Sequence, residues 1–387
     1  MTPVVGRVAA GVAGVVVAGV VVLGTSDAVA PETVSPERSV ASPSGTTERH
    51  ARRSPLMLAW SPTGSGGLAP SVGRDLRRSG RVRALTWVYS SLDWLAPDRD
   101  SAMEIPIEVA AVDPRTYANF VAPAEAPAVL ALGPHEALLA EDEAKLRGDA
   151  DTLHLRGGDY RIVGTISDVG TGGYEALVAA PAPDTWTIVD RALLIELAHR
   201  SDRRRVSASI RSQLAPGQML RLRAKGETPY LRYGDAVLPQ LIVKKNFGEF
   251  GAVPHPDGTI SIERRWIARN IVDAHVPLLG RVTCHRAVIP QLRMAMRELK
   301  TSGVGYLVHR SEFGGCFGAR FINGRAGTRL SHHAWGIAVD LNVAENPFGA
   351  RPTQEERVVR VMEDHGFTWG GRWIVPDGMH FEWVRFP

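Results

Sequence analysis

Cysteine is almost missing from this chain of 387 residues, which holds only Cys284 and Cys316. With no C-x-x-C pair, a zinc site built on thiolates is not supported. The two thiols can instead close one disulfide, which suits an oxidising compartment. Past residue 26 no further long apolar run occurs, so nothing beyond the N-terminus reads as a membrane span. An excess of one charge is lacking too: 45 Lys and Arg against 41 Asp and Glu leave a net charge of +4. That mildly basic balance suits anionic surroundings but is too small to choose among them, and no nucleic-acid partner is expected. Two familiar motifs are started and not finished. His135-Glu136 opens like H-E-x-x-H, but Leu occupies position 139. Gly170-Thr171-Gly172-Gly173 lacks the Lys-Ser/Thr of a phosphate loop and reads as a turn. There are no internal repeats.

What is present begins with an apolar segment, 1–26, which carries Arg7 and then no charge from Val8 through Ser26. Its length fits either the apolar part of a signal peptide or a short membrane anchor. Pro31 directly after Ala28-Val29-Ala30 disfavours cleavage there, so an uncleaved anchor is the preferred reading. Both readings place the remainder outside the cytoplasm, either membrane-anchored or secreted. Residues 27–55 are rich in Pro, Ser, Thr and charge and read as a disordered linker, because they cannot bury enough apolar surface to offset their ordering entropy.

Residues 56–245 read as a separate β-rich domain. The run 104–113 has strand length and composition, and 151–168 alternates about Gly157-Gly158 as a hairpin. Between them, 134–148 is expected to be a helix. This order of elements resembles the extracellular core domain of macrolide-exporter-type ABC permeases, although no chemically specific motif accompanies it. The region is also a candidate interaction module for an envelope protein. The Arg-rich stretches at 74–83 and 203–205 read as solvated faces.

Residues 246–387 read as an α+β domain with a small antiparallel sheet and flanking helices. Helical spacing is expected over 263–276 and 287–303, where Ile289, Leu292, Met296 and Leu299 share a face. The run 303–310 alternates as a strand. A further helix is expected over 353–366, with Thr353 and Glu356 in capping-box relation and Gly366 as its stop.

The chemistry gathers in two short runs. In Gly336–Asn342, period 2 puts Ile337, Val339 and Leu341 on one face of a strand and Ala338 and Asp340 on the other. A carboxylate directed away from the core beside a His-bearing turn suits a metal ligand, though a solvent-facing Asp would show the same pattern. His380 sits on a second strand-like run, with Asp377 three residues before it. Two imidazole nitrogens and one carboxylate oxygen would leave a zinc ion one open position for water.

The pattern S-x-H-x-x-G-x-A-x-D over 331–340, followed by D-x-x-H-F-E over 377–382, resembles the zinc peptidases that cut peptidoglycan stem peptides. That family includes vancomycin-resistance-type D-Ala-D-Ala carboxypeptidases and phage-endolysin L-alanyl-D-glutamate endopeptidases. The resemblance covers roughly residues 246–387. It implies Zn²⁺ held by His333, Asp340 and His380, with His332 at a variable position. It implies Asp377 as the general base, and Ser331 and Arg320 as the groups that bind and orient substrate, Arg325 and Arg329 competing for the latter role. The expected function is hydrolysis of a stem-peptide amide bond in the cell wall. The alternative is a non-catalytic wall-binding or envelope scaffold protein that keeps the fold. Glu382 shares a strand face with His380 and is a candidate to support it or to serve as an alternate base. Trp335, Trp369, Trp373 and Trp383 read as core, with lining of a cleft as the alternative, His365 as a helix-end cation, and His285 and His309 as ordinary.

Overall fold

A computed structural model describes residues 55–62, 66–96, 103–188, 190–225 and 238–386. The apolar segment 1–26 and, apart from Pro55, the linker 27–55 lie outside the described residues. Among the described residues, no helix is long and apolar enough to cross a membrane.

The first part of the chain is a mixed sheet with nine strands among the described residues. The strands are β1 (Leu56–Trp60), β2 (Val82–Leu95), β3 (Ile105–Val112), β4 (Glu136–Ala140), β5 (Thr152–Leu155), β6 (Gly158–Ile166), β7 (Ala176–Ala179), β8 (Asp190–Leu197) and β9 (Arg221–Ala224). Their order is β3-β7-β4-β6-β5-β2-β8-β1-β9, with β2 pairing β3 as well. The 14-residue β2 makes this possible: its first half pairs β8 and its second half pairs β3. The hairpin about Gly157-Gly158 forms as expected, with Leu155 opposite Gly158.

The helix expected over 134–148 is only half right. Residues 136–140 form strand β4 and only Glu141–Arg147 is helical. Ala137–Ala140 are buried between β6 and β7, so tertiary pairing overrides the helical propensity of an Ala/Leu run. His135, at φ 54°, breaks the chain before it.

The helix Gln240–Phe247 leads into the C-terminal part, and six of its residues are buried. A helix covered on so many sides belongs to an interior. Its Leu241, Val243 and Phe247 are inaccessible or nearly so, and a shared apolar core joins Ile242, Val243 and Phe247 to Leu92 and Trp94 of β2 and to the C-terminal residues. A division at 245/246 would therefore cut through this helix.

Beyond it lie β10 (Ala252–Pro254), β11 (Ile260–Ile262), β12 (Ile271–Val276), β13 (Gly280–His285), β14 (Ala338–Asp340), β15 (Phe367–Trp369) and β16 (His380–Trp383). They form the antiparallel pairs β10-β11 and β12-β13 and the three-stranded sheet β14-β16-β15. The helix Ile289–Thr301 buries Ile289, Leu292, Met296 and Leu299, the face its spacing predicts.

Three expectations fail here. Only Arg264–Asn270 of 263–276 is helical, because the Val-bearing second half pairs with β13. The run 303–310 is a 3-10 turn at Gly305–Leu307, with Val304 and Val308 packed inward and Tyr306 exposed. Among the described residues no strand pairs with it to use the alternation. The last helix, Glu356–Asp364, has no side-chain cap, and the Thr353 hydroxyl instead donates to Glu345 O.

Candidate metal centre

The site is built where β14 and β16 run side by side. Asp340 and His380 are direct partners across that antiparallel pair, so their side chains lie next to each other on one face. The backbone of Asp340 is fixed from the other edge by Gly314 and Gly315: Gly314 N–H donates to Asp340 O and Asp340 N–H donates to Gly315 O.

His333 arrives on a 3-10 turn, His332–Trp335, which Ser331 caps by accepting from His333 N–H. Gly336 ends the turn in the left-handed region at φ 67°. A Cβ there would come within 2.7 Å of His285 N, so both conformation and space require glycine. That accounts for the fixed glycine spacing between His333 and Asp340.

His333 Nε2 lies 3.2 Å from Asp340 Oδ1 and 3.2 Å from His380 Nδ1, and His380 Nδ1 lies 3.0 Å from Asp340 Oδ1. Two metal–ligand bonds of the usual zinc length at a tetrahedral angle would place their ligand atoms about 3.3 Å apart. The donor set therefore fits a single divalent ion.

The outer nitrogens are already committed. His333 Nδ1–H donates to Cys316 O at 2.8 Å, and His380 Nε2–H donates to Glu382 Oε1 at 3.2 Å. A carbonyl or a carboxylate can only accept, so these contacts fix the tautomers and turn the inner lone pairs toward the centre. Glu382 is held in turn by His332 Nδ1, 3.2 Å away. His332, which the motif leaves variable, thus anchors the carboxylate behind His380. Cys316 is bonded to Cys284, which pins the segment whose carbonyl holds His333.

The electrostatics favour positive charge at this point. Burial alone would raise the Asp340 carboxyl, but hydrogen bonds from His333 and His380 hold it well below the ordinary range. Burial would lower His380, yet its bonds to Asp340 and Glu382 outweigh that and push it up to about 10. Glu382 likewise is driven down by His332 and His380 against the effect of burial.

Asp377 lies on the loop before β16. Its Oδ1 is buried and finds no hydrogen-bond partner among the described residues, and burial raises its pKa. The loop is folded tightly: Asp377 N–H donates to Gly370 O, and a Cβ on Gly370 would meet Asp377 O at 2.8 Å.

These groups border a cleft of about 290 Å³. Arg320 and Ser331 line it together with Asp377, and Ser331 N–H donates to Arg320 O, so the two are backbone neighbours. The Arg320 guanidinium is 3.9 Å from Asp340 Oδ2. Arg329 also lines the cleft, but its Nη2 is engaged by Asp190 of β8 at 3.2 Å. Arg325 does not border it. Trp373, expected in the core, borders the cleft with its ring 5.2 Å from that of His380, whereas Trp383 is core. His365 closes the helix end and meets Glu298 at 2.9 Å.

Comparison with known proteins places the resemblance on this same segment. Residues 325–383 match the family model described as D-alanyl-D-alanine carboxypeptidase. No curated protein matches the chain. Among solved structures, a domain assigned to a permease from Porphyromonas gingivalis is similar at 13% identity and a TM-score of 0.29, covering 49% of this chain and 94% of that one. The extracellular domain of the noncanonic ABC-type transporter YknZ from Gram-positive bacteria is similar at 8% identity and a TM-score of 0.30, covering 44% and 98%.

Proposed function

We propose that this chain is a zinc-dependent peptidase that hydrolyses an amide bond of peptidoglycan stem peptides, of the D-Ala-D-Ala carboxypeptidase or L-alanyl-D-glutamate endopeptidase type. One observation carries the reading: His333, Asp340 and His380 converge with metal-ligand spacing at a cleft that also holds the unpartnered Oδ1 of Asp377. On this reading those three side chains hold the ion. When bound, zinc supplies Lewis acidity for the scissile carbonyl and lowers the pKa of a water.

The protein's own groups do the rest. Asp377 accepts a proton from the attacking water and returns it to the leaving amine. Glu382 and the Cys316 carbonyl keep the two imidazoles turned inward. Arg320 takes a substrate carboxylate through its planar fork, and Ser331 helps to orient the peptide. In the cell, the apolar segment 1–26 would direct or anchor the chain, so that the globular part works on the wall side of the membrane.

The test is to incubate the full chain with defined muropeptides, with and without chelator, and to identify the fragments by mass. Cleavage of a single stem-peptide bond, lost with chelator and restored by zinc, is the expected result. Asp377→Asn should keep zinc while losing about 10²–10⁴ in turnover, and His333→Ala should lose zinc. A chain that retains no zinc after resupply, or that leaves every stem peptide intact, would refute the proposal.

A further inference from the structure

The cleft is not built by the C-terminal part alone. Trp60 at the end of β1 and Pro62 just beyond it line it together with the motif residues. Trp60 is buried, and its Nε1–H donates to Asp190 Oδ1 at 2.6 Å. The other oxygen of Asp190 takes Arg329 Nη2 at 3.2 Å. Arg329 stands two residues before Ser331 and four before His333. A chain of contacts thus runs from the sheet, through one carboxylate, to the segment that carries the substrate-facing serine.

A second cleft loop is braced by the same strands. Arg221 of β9 donates to Arg372 O at 3.2 Å, and Ile374 packs against the apolar cluster of Leu58, Trp60 and Ala192. That loop runs on to Asp377. Strands β1, β8 and β9 therefore hold both loops that flank the candidate metal centre.

We propose that the nine-stranded sheet is a working part of the peptidase site, with Asp190 as a positioning residue acting through Arg329 and Trp60 as a substrate-contacting wall. The inference rests on the hydrolase reading above and extends it: the sheet decides how the stem peptide lies in the cleft. The carboxylate is the pivot because it joins the indole N–H to the guanidinium. Its charge is what holds Arg329, since an ionised acceptor binds a guanidinium far more strongly than a neutral amide does. With Arg329 held by Asp190, Arg320 is the cleft arginine left to meet the substrate. Removing that charge would weaken the hold on Arg329 and loosen the 329–331 segment.

The experiment uses the full chain and measures kcat and KM on the stem peptide it cleaves, with zinc content and urea unfolding determined for each variant. Asp190→Asn keeps the shape and an acceptor for Trp60 but removes the charge. It should raise KM by about tenfold, change kcat by less than about threefold and leave zinc content at the wild-type level. Asp190→Glu should recover most of the loss. Trp60→Phe, which removes the donor and keeps a smaller aromatic ring, should also raise KM. Glu196→Gln, on the same strand but paired with Arg83 away from the cleft, should leave both constants unchanged. If the Asn and Phe variants fold, hold zinc and show wild-type KM, the sheet's role is refuted while the hydrolase reading stands. A wild-type chain that binds zinc yet cleaves nothing refutes the hydrolase reading and this proposal with it.

Discussion

Replacing Cys284 and Cys316 together by alanine should cost the protein about 5 kcal/mol of stability and loosen the metal centre as well. The two residues are bonded with their Cα atoms 5.3 Å apart and lie 32 positions apart in the chain. Closing a loop of that length in the unfolded chain removes about 12 cal/mol/K of entropy, which is close to 3.7 kcal/mol at 25 °C. Both sulfurs are buried, so the truncation also leaves a small cavity that adds roughly 1 kcal/mol. That total is a large part of the 5–15 kcal/mol typical of a folded domain. The second effect is local. Cys316 O accepts from His333 Nδ1, so freeing this segment lets the imidazole turn, and zinc affinity should fall by about tenfold or more. The assay is urea unfolding followed by tryptophan fluorescence, paired with chelator competition for zinc. The steeper denaturant dependence of a less constrained unfolded chain should accompany the loss. Reduced wild-type protein should reproduce the stability change. A loss below about 1 kcal/mol with unchanged slope would show that the cross-link does not constrain the unfolded chain, and the reasoning would fail.

Glu382→Gln should weaken zinc binding by about 10- to 100-fold, read by competition with a chelating dye, because the amide cannot hold His380 Nε2–H and His332 as the carboxylate does. Lys244→Met should cost about 3–5 kcal/mol in urea unfolding, since the fully buried ammonium lies 2.5 Å from Glu175 Oε1 and its loss leaves that oxygen without a cation, whereas Glu249, 3.0 Å from the ammonium, keeps Arg147. Converting Glu175 to Gln in the same chain should recover part of that. His285 supplies a pH dependence. Burial pushes its imidazole down to about 4, against the Phe247 carbonyl and with help from the Arg286 charge. A folded value below the unfolded one means that the stabilisation is complete above about pH 6.5 and is lost as pH falls toward 4, by about 3 kcal/mol. The difference in unfolding free energy between wild type and His285→Gln, followed across that interval, should track this loss; a constant difference would contradict it.

How legible the site was in the sequence depended on how its parts are spaced. His333 and Asp340 are close in the chain, on a capped turn and the strand that follows, so pattern alone brings them together. Glu382 was visible as a candidate because alternation puts it on the face of His380. His332 was passed over, because its role rests on a contact with Glu382 fifty residues away. Trp60 and Asp190 carried no local signal at all: each lies more than 130 residues from the motif and bears no pattern of its own. Trp373 looked like core because nothing in its neighbourhood tells a cleft wall from an interior. The misread helices have two causes. At 136–140 the strand partners come from more distant chain, 161–166 and 176–178, whereas at 271–276 the partner is the next strand, 280–285, across a short turn.

Local order was thus settled by the sequence itself: the capped turn with its glycine, the pleat that separates Asp340 from the core, and the apolar stripe of 289–301. These follow from backbone sterics and side-chain periodicity, which act over a few residues. Which strands pair, and which distant carboxylate meets which cation, was decided only by the tertiary structure. Such choices depend on burial and charge pairing between segments whose proximity no short window contains. The joining of the sheet to the cleft belongs to this second kind, since Asp190 and Arg329 become partners only when the chain has folded around them.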